Sequence, residues 1–435
     1  MYVSLERESN PIPEAMLKHV ESYAEKLAAY PRLQEQYRRC FVGTWKTALQ
    51  KQEDGTYFVL TGDIPAMWLR DSSAQVNHYL DLCVDNEEIA AVIEGVLRRQ
   101  FMYIKIDPYA NAFNVEDNDQ GYVNDIPRKN PWVWEQKYEI DSLCYPIRLL
   151  YLYWKKTGKT ELIEEHLEEL VQIITEQWRV EQHHMEKSPY RFTRPDYWNP
   201  WDTLHNEGMG NPVVYTGMTW SGFRPSDDAC QYGYLTAAQM FAVVVLGYME
   251  EMLLEVCDNS ELAKSCAELR TEIDAGIQKY SIVEDDTFGK VYCCETDGMG
   301  NYMMIDDANI PSLLSAPYIG YLDAHDEIYQ NTRKFLLSEK NPYYFVGKYA
   351  RGIGSRHSPD NYVWHMALAM QGLTSIDREE KKELLHMIST TDGGTFHMHE
   401  SFDVDNPENY TREWFTWPEA LFSEFVEHCV DEGII

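Results

Sequence analysis

Two short stretches hold the residue types best suited to chemistry. In residues 219–229, the adjacent carboxylates Asp227 and Asp228 follow a Trp, a Phe and an Arg. Far downstream, residues 395–400 end at Glu400, with two further tryptophans close behind. Hydrolysis of a glycosidic bond needs one acid to protonate the leaving oxygen and one base to activate water, and aromatic faces hold the sugar ring. The two stretches therefore point to sugar hydrolysis.

Residue chemistry leaves two interpretations of the first stretch open. Ser226 or Asp227 is suited to cap a helix that we expect to begin near Asp228, and a helix N-terminus lowers the pKa of a carboxyl group. A general acid needs the opposite shift, which a neighbouring carboxylate and burial beside Trp220 and Phe223 would give to one of the two. We expect one Asp to stay ionised and the other to hold the proton, without deciding which.

A third charged group lies earlier in the chain, where Arg70 stands beside Asp71 and just after Trp68. Ser72 and Gln75 fit a capping box, which predicts that the charged pair lies at the mouth of a helix. An adjacent Arg and Asp can hold neighbouring hydroxyls of a sugar, with Trp68 as a stacking face. In the alternative interpretation, Asp71 only caps the helix and Arg70 pairs with a surface carboxylate.

Histidines and further acids occupy other loops. The alternation of His397 and His399 suggests a metal site, but no third or fourth ligand lies nearby, so we expect no metal and favour Glu400 as a general base. Three more loops combine acids with Asn or Trp, and a fourth carries Arg356 and His357; together they are typical of the rim of one pocket. They are residues 107–114, 132–141, 306–311 and 352–359.

Helical periodicity recurs along the chain and predicts an all-α fold. Residues 232–252 are apolar on nearly all sides, which favours a buried helix, and a short hairpin is expected around residues 289–293. About a dozen helices, with no linker or change of composition, predict one (α/α)6 barrel domain over residues 1–435. Helices are expected to begin near Pro13, Asp71, Glu87, Glu139, Asp228, Ser260, Asp326, Asp360, Arg378 and Thr411.

The composition restricts the partners. The formal net charge of −33 at pH 7 argues against nucleic acid and against anionic lipid surfaces. The nine cysteines include no C-x-x-C pair and are expected to be buried thiols. Residues 1–10 lack the apolar segment of a secretory signal, and we find no apolar run long enough to span a membrane. We therefore expect a cytoplasmic protein with a neutral substrate.

Several long stretches resemble glycoside hydrolase family 125, and the likeness covers nearly the whole chain. The matching stretches are residues 61–72, 106–114, 137–146, 215–230, 295–302, 306–314 and 398–400. The resemblance implies an (α/α)6 barrel and a metal-independent, inverting exo-α-1,6-mannosidase without a cofactor. Its partner would be a mannose-containing oligosaccharide, such as an N-glycan or mannan fragment. The natural glycan and the oligomeric state stay open.

The resemblance also implies roles for individual residues. Asp227 matches the general acid and Glu400 the general base, so Asp228 becomes the neighbour that helps to keep a proton on Asp227. The terminal-mannose subsite would be formed by Trp68, Arg70, Asp71, Asp306, Asn309 and His357. Trp220, Arg224 and Asp228, which flank the acid, are also expected to bind substrate.

Two other functions are kept as alternatives. One is a sugar epimerase or isomerase on the same barrel, in which His357, His397 and His399 would supply acid and base. The other is a glycan-binding protein without catalytic activity, which would be indifferent to the replacement of Glu400. Conversion of free mannose would reveal the first, and mannoside binding without turnover would reveal the second.

Overall fold

The computed structural model describes residues 10–435. Most of the prediction about a secretory signal, which rests on residues 1–10, therefore lies outside the described residues. A π-helical turn at Thr44–Ala48 and a 3-10 turn at Leu80–Cys83 accompany the α-helices. The α-helices of the described chain are α1 Glu14–Lys26, α2 Pro31–Phe41, α3 Leu69–Asn77, α4 Glu87–Ile106, α5 Ile140–Thr157, α6 Glu161–Glu181, α7 His184–Lys187, α8 Thr236–Glu255, α9 Ser260–Tyr280, α10 Ala316–Ile319, α11 Glu327–Leu336, α12 His365–Leu373, α13 Arg378–Thr390 and α14 Thr416–Asp431.

The helices form two concentric layers. In the inner ring α3 packs on α5, α5 on α8 and α8 on α10, while α12 packs on α14 and α14 returns to α3. Outer helices cover this ring: α4 lies against α5, α9 against α8, α13 against α12 and α2 against α14. The contact between α14 and α3 brings the C-terminal helix back beside the first helix of this ring. The predicted (α/α)6 barrel is confirmed.

Helix α8 accounts for the long apolar segment. It stands in the inner ring with α5, α9 and α10 around it, so apolar residues on most of its sides are buried. Among residues 10–435 it is also the one helix whose length and composition would allow it to cross a membrane, a test that a core helix passes equally well. The prediction of a buried helix here is confirmed.

Short antiparallel strands connect the helices in six small sheets. Three of these sheets have three strands, in the orders β3-β4-β5, β10-β9-β6 and β13-β14-β15, and the others are hairpins. The β7–β8 hairpin is the one predicted near residues 289–293. The strands are β1 Leu49–Lys51, β2 Tyr57–Val59, β3 Met67–Trp68, β4 Ala112–Phe113, β5 Val133–Glu135, β6 Tyr234–Leu235, β7 Ile282–Asp285, β8 Gly289–Tyr292, β9 Glu295–Thr296, β10 Tyr302–Met303, β11 Tyr344–Val346, β12 Arg351–Ile353, β13 Tyr362–Trp364, β14 Ser401–Asp403 and β15 Asn406–Thr411.

The three-stranded sheets lead directly into inner helices. Strand β3 ends at Trp68 and α3 begins at the next residue; β6 leads into α8 and β13 into α12 in the same way. Each strand therefore fixes where an inner helix begins. Because a helix N-terminus carries partial positive charge, these junctions favour carboxylate groups nearby.

Three predicted helix starts are wrong. No helix begins at Asp228, since α8 starts only at Thr236; β13 precedes α12; and β15 runs to Thr411, before α14. The capping box is also wrong, because α3 begins at Leu69, ahead of Ser72. The Ser72 hydroxyl instead donates to the Trp68 carbonyl at 2.6 Å within the helix.

Candidate active site

A cavity of about 730 Å³ lies where the inner helices begin. Arg70 and Asp71 come from the first turn of α3, Trp364 directly precedes α12, and Trp417 lies in the first turn of α14. A concave site of this size, with mixed polar and aromatic walls, is typical of a small-molecule site. Strands and loops supply the remaining lining residues: Thr61, Asp63, Ile64, Trp68, Tyr122, Trp134, Glu135, Lys137, Trp198, Asp202, Pro225, Ser226, Asp227, Asn309, His357, Glu400, Thr411, Arg412, Glu413 and Phe415.

Asp227 reaches the cavity from a tight turn. Its φ is 63°, in the left-handed region that Asp tolerates better than most residues. The Asp227 N–H donates to the Arg224 carbonyl at 2.9 Å, and the Arg224 N–H donates to the Asp228 carbonyl at 2.8 Å. These two bonds close a tight turn, and no helix begins at this turn. The interpretation of Ser226 or Asp227 as a helix cap is therefore wrong.

The side chain of Asp227 is surrounded by donors. Its Oδ1 accepts from Arg70 Nη2 at 3.3 Å and from Asn111 Nδ2 at 3.2 Å. Lys137 Nζ donates to the Asp227 carbonyl at 2.7 Å. Burial alone would raise the pKa of Asp227, but Arg70, a hydrogen bond with Glu139 and the charge of Lys137 outweigh it and lower the pKa to about 2. By itself, this environment favours an ionised Asp227.

Arg70 binds three further acids beneath Asp227. Its Nη1 donates to Glu139 Oε2 at 2.5 Å and to Asp141 Oδ2 at 3.3 Å, and its Nε lies 3.4 Å from Asp71 Oδ2. All four side chains are almost fully buried. Burial raises the pKa of Asp71 and of Asp141 to about 6 and the pKa of Glu139 well above its usual range. One guanidinium does not keep all of these carboxyls ionised.

Asp228 is buried beside the cavity and does not line it. Arg356 Nε lies 3.2 Å from its Oδ2 and His357 Nδ1 lies 3.4 Å from its Oδ1. Although burial opposes ionisation, His357, Arg356 and Arg224 lower the pKa of Asp228. Asp228 in turn raises the pKa of His357 to about 9 against the effect of burial. Asp228 therefore holds His357, whose ring lines the cavity.

Glu400 stands directly before β14. Its Oε2 accepts from the Thr411 hydroxyl at 3.1 Å, and Arg412 Nη1 lies 3.5 Å from its Oε1. Strand β15 pairs Thr411 with Ser401, so one hairpin carries both the carboxylate and its hydroxyl partner. The Glu400 side chain is 13% exposed. It is positioned at the surface of the cavity, where water can reach it.

The whole chain has clear relatives. Residues 30–427 match the metal-independent α-mannosidases, glycoside hydrolase family 125. The chain belongs to this family. It is 36% identical over 412 residues to the meiotically up-regulated gene 157 protein of Schizosaccharomyces pombe, a match that covers 90% of this chain and 81% of that protein.

Two solved structures resemble this chain to different degrees. The α-mannosidase of Streptococcus pneumoniae, in a non-productive complex with α-1,6-mannobiose, has a TM-score of 0.94 at 46% identity, covering 97% of this chain and 99% of that one. The glucoamylase of Saccharomycopsis fibuligera has a TM-score of 0.54 at 11% identity, covering 99% and 98% of the two chains. The second likeness shows the barrel fold alone.

Several residues predicted for the family 125 site lie on the cavity wall. Besides Asp227 and Glu400, these are Trp68, Arg70, Asp71, Asn309 and His357. They come from β3, α3 and separate loops, and the barrel brings them to one place. Arg70 is 3% exposed, so its pairing with Asp71 belongs to the buried network beneath Asp227 at least as much as to the cavity.

Besides Asp228, three residues predicted to bind substrate lie outside the cavity wall. Trp220 is buried and stacks on His184, with ring centroids 3.5 Å apart. Arg224 Nε donates to Glu295 at 2.5 Å. Asp306 accepts the N–H groups of two residues in the 306–314 loop, and burial raises its pKa to about 7. These contacts indicate that the three side chains hold loops in place.

The prediction from residue types overlooked several members of the site. Thr411 pairs with Ser401 across the β14–β15 hairpin, so Thr411 and Arg412 lie beside Glu400. A hairpin predicted from the sequence would have indicated this proximity. Asn111 belongs to the loop 107–114, and its Nδ2 bridges Asp227 and Glu135. Lys137 lies within the acidic segment 132–141. Each of these side chains contacts a carboxyl group of the site.

The rings of the alternating histidines have different partners. His397 Nδ1 lies 2.6 Å from Glu419, whereas His399 stacks on Tyr410 with ring centroids 3.7 Å apart. Neither histidine lines the cavity. In the described part of the chain, Cys40, His397 and Glu419 bring potential ligand atoms within 4.8 Å of one another, away from the cavity wall.

Proposed function

We propose that this family 125 enzyme is an exo-acting α-1,6-mannosidase that inverts the anomeric configuration. The observation that carries the proposal is the presence of Asp227 and Glu400 on one cavity wall, brought there by unrelated segments of the barrel. They are paired with aromatic side chains suited to a pyranose, Trp68 and Trp417 among them. Two carboxyls flanking a sugar site are the minimum for glycoside hydrolysis.

In this mechanism Asp227 is the general acid. Its proton goes to the glycosidic oxygen while the bond from that oxygen to the anomeric carbon breaks, and the bond's electron pair stays with the oxygen. Arg70 and Asn111 hold the carboxyl in place through Oδ1. Because both donors use the same oxygen, Oδ2 is the atom left to carry the proton toward the substrate.

Glu400 is the general base of the proposal. It takes a proton from water, which attacks the anomeric carbon from the face opposite the leaving group. Thr411 and Arg412 orient its two oxygens without enclosing it. Inversion requires the two carboxyls to stand about 6.5–9.5 Å apart, so that the water fits between Glu400 and the sugar.

The linkage is proposed from the relatives. The Streptococcus pneumoniae enzyme, which shares 46% of its residues with this chain, binds α-1,6-mannobiose. A mannose-containing oligosaccharide with a terminal α-1,6 linkage is therefore the proposed substrate. The net charge of −33 is compatible with a neutral ligand of this kind.

The test is a linkage panel followed by NMR. The purified protein, without added metal, is incubated with α-1,2-, α-1,3- and α-1,6-mannobiose, and we expect cleavage of the last alone. Proton NMR during the first turnovers should show β-mannose before mutarotation. If α-mannose forms first, inversion is wrong; if another linkage is cleaved preferentially, the proposed specificity is wrong.

The geometry gives little support to the epimerase alternative. That reaction would need two histidines at the sugar, and of the three candidates only His357 lines the cavity. His357 is moreover tied to Asp228. Incubation with free mannose is the control, and formation of fructose or glucose would favour the alternative.

A further inference from the structure

Asp227 needs a source for its proton. The proposed acid must be protonated when substrate binds, yet Arg70, Asn111 and Lys137 all stabilise its charged form. A carboxyl group held by a guanidinium and an amide loses its proton readily. We therefore expect another group close to Asp227 to hold this proton.

Glu139 lies in the right place to do so. Its Oε2 accepts from Arg70 Nη1 at 2.5 Å and from the Ser142 hydroxyl at 2.9 Å. Its Oε1 is buried and receives no hydrogen bond from an N–H or O–H donor of the described chain. Arg70 bridges Glu139 and Asp227, since its Nη2 donates to Asp227 Oδ1 at 3.3 Å, and the two carboxyl groups also share a hydrogen bond. Two carboxylates make such a contact only when one of them carries a proton.

We propose that Glu139 is a positioning residue that holds the catalytic proton on Oε1 in the resting enzyme and passes it to Asp227 when substrate fills the cavity. The inference rests on the proposed acid role of Asp227. Glu139 does not line the cavity, so it acts through Asp227.

The charge balance around Arg70 supports this assignment. Four carboxyl groups face one buried guanidinium, and charged groups this deeply buried need a partner or a proton. Burial and the neighbouring charges of Asp227 and Asp141 raise the pKa of Glu139 well above its usual range. The titratable and charged groups that face the Glu139–Asp227 pair are Arg70 and Asp71 of α3, Lys137, Asp141 of α5, and His357.

The proton transfers balance over one turnover. The Oε1–H proton of Glu139 moves to Asp227, and Asp227 gives it to the leaving oxygen as the glycosidic bond breaks. Arg70 and Ser142 stabilise the Glu139 carboxylate that remains. Glu400 meanwhile takes a proton from the attacking water. Exchange with solvent then removes the proton from Glu400 and restores the one on Glu139.

The first experiment measures kcat/KM against pH for Glu139→Gln. Without the shared proton, Asp227 ionises at lower pH, so we expect the basic limb of the profile to move toward acid. On α-1,6-mannobiose at neutral pH the loss should be about 100-fold. A 2,4-dinitrophenyl mannoside, whose leaving group needs little protonation, should lose less than about tenfold. An equal loss on both substrates with an unmoved profile would overturn the proposal.

Ser142→Ala provides a second variant with a shift of opposite sign. Its hydroxyl stabilises ionised Glu139, so its removal should move the basic limb toward higher pH. Glu383→Gln, which alters a surface pair with Arg351, is the matched control and should leave the profile unchanged. If Ser142→Ala leaves the profile unmoved or moves it toward acid, the proposal is wrong.

Infrared difference spectroscopy observes the proton itself. Slightly above neutral pH, Glu139→Gln should remove part of the carbonyl absorption of protonated carboxylic acids, to which Asp306 also contributes, and Asp141→Asn should keep that part, because the pKa of Asp141 is about 6. A band unchanged by Glu139→Gln would contradict the proposal. An active Asp227→Asn would instead refute the acid role, so the two failures are distinguishable.

Discussion

The surroundings of Asp227 and of Glu400 differ in construction. Asp227 adjoins a buried network in which Arg70 contacts three other acids. Glu400 has one hydroxyl partner and one more distant cation, both supplied by the neighbouring hairpin. The first region restricts where a proton can go. The second leaves a carboxylate accessible to water.

The difference follows from what the two roles require. A general acid must keep a proton at a pH where an isolated carboxyl has lost it, so it needs burial or other acids around it. A general base needs only a fixed orientation and a water molecule. The helix N-termini of α3 and α5 supply buried, preformed positions for the acid network, whereas a short strand pair suffices for Glu400.

The largest expected effect comes from neutralising either carboxyl of the proposed pair. Asp227→Asn and Glu400→Gln should each lower kcat on α-1,6-mannobiose by about 1,000-fold, within the range for loss of an acid or base. The two variants should differ on a 2,4-dinitrophenyl mannoside. Asp227→Asn should retain most activity there, because that leaving group departs without a proton, and Glu400→Gln should not.

Two controls belong to this comparison. Asp323→Asn changes an exposed acid and should leave both rates unchanged. Asp228→Asn should disturb His357 but keep acid catalysis. Full activity of Asp227→Asn on mannobiose would show that the acid is another residue, with Asp228 as the first to examine.

The contacts around Asp227 could not be predicted from the sequence. Arg70 is 69 residues from Glu139 and 157 from Asp227, so only the closed barrel reveals their contact. Helix α8 was predictable because an apolar segment of this length favours a buried helix over a strand. Trp220 and Asp306 lie outside the cavity wall, and nearness to Asp227 or to a matching stretch does not tell whether a side chain faces the cavity or the core. Asp is compatible with the left-handed conformation of Asp227, but its residue type alone does not predict that conformation.

The second prediction concerns the stability of the acid network. Arg70→Met removes the cation that the surrounding carboxyls share, so the free energy of unfolding should fall by about 3–5 kcal/mol. The deficit should shrink as the pH is lowered, because protonated acids no longer need the guanidinium. Urea denaturation at several pH values measures both. Arg351→Met, which removes a surface cation, should cost less than about 1 kcal/mol.

The third prediction concerns His357, which pairs with Asp228. The pKa of His357 is raised to about 9 in the folded protein, against an ordinary value of about 6.5. Its pairing with Asp228 therefore stabilises the fold fully below about pH 6.5, and this contribution is lost as the pH rises through about 9. His357→Gln should lower stability by about 1–2 kcal/mol at acidic pH and flatten this decline. The surface variant His386→Gln should retain the wild-type slope.

The smallest expected effect concerns the hydrogen bond from Thr411 to Glu400, and it tests how weakly Glu400 depends on its surroundings. Thr411→Val removes the hydroxyl that donates to Glu400 but keeps the side-chain shape. One hydrogen bond to a partly exposed carboxylate is worth about 1 kcal/mol, so kcat should fall about fivefold. Thr271→Val, on the exposed face of α9, controls for loss of a hydroxyl. A fall as large as that of Glu139→Gln would mean that Glu400 depends on its network as strongly as Asp227 does, and the contrast between the two sides would disappear.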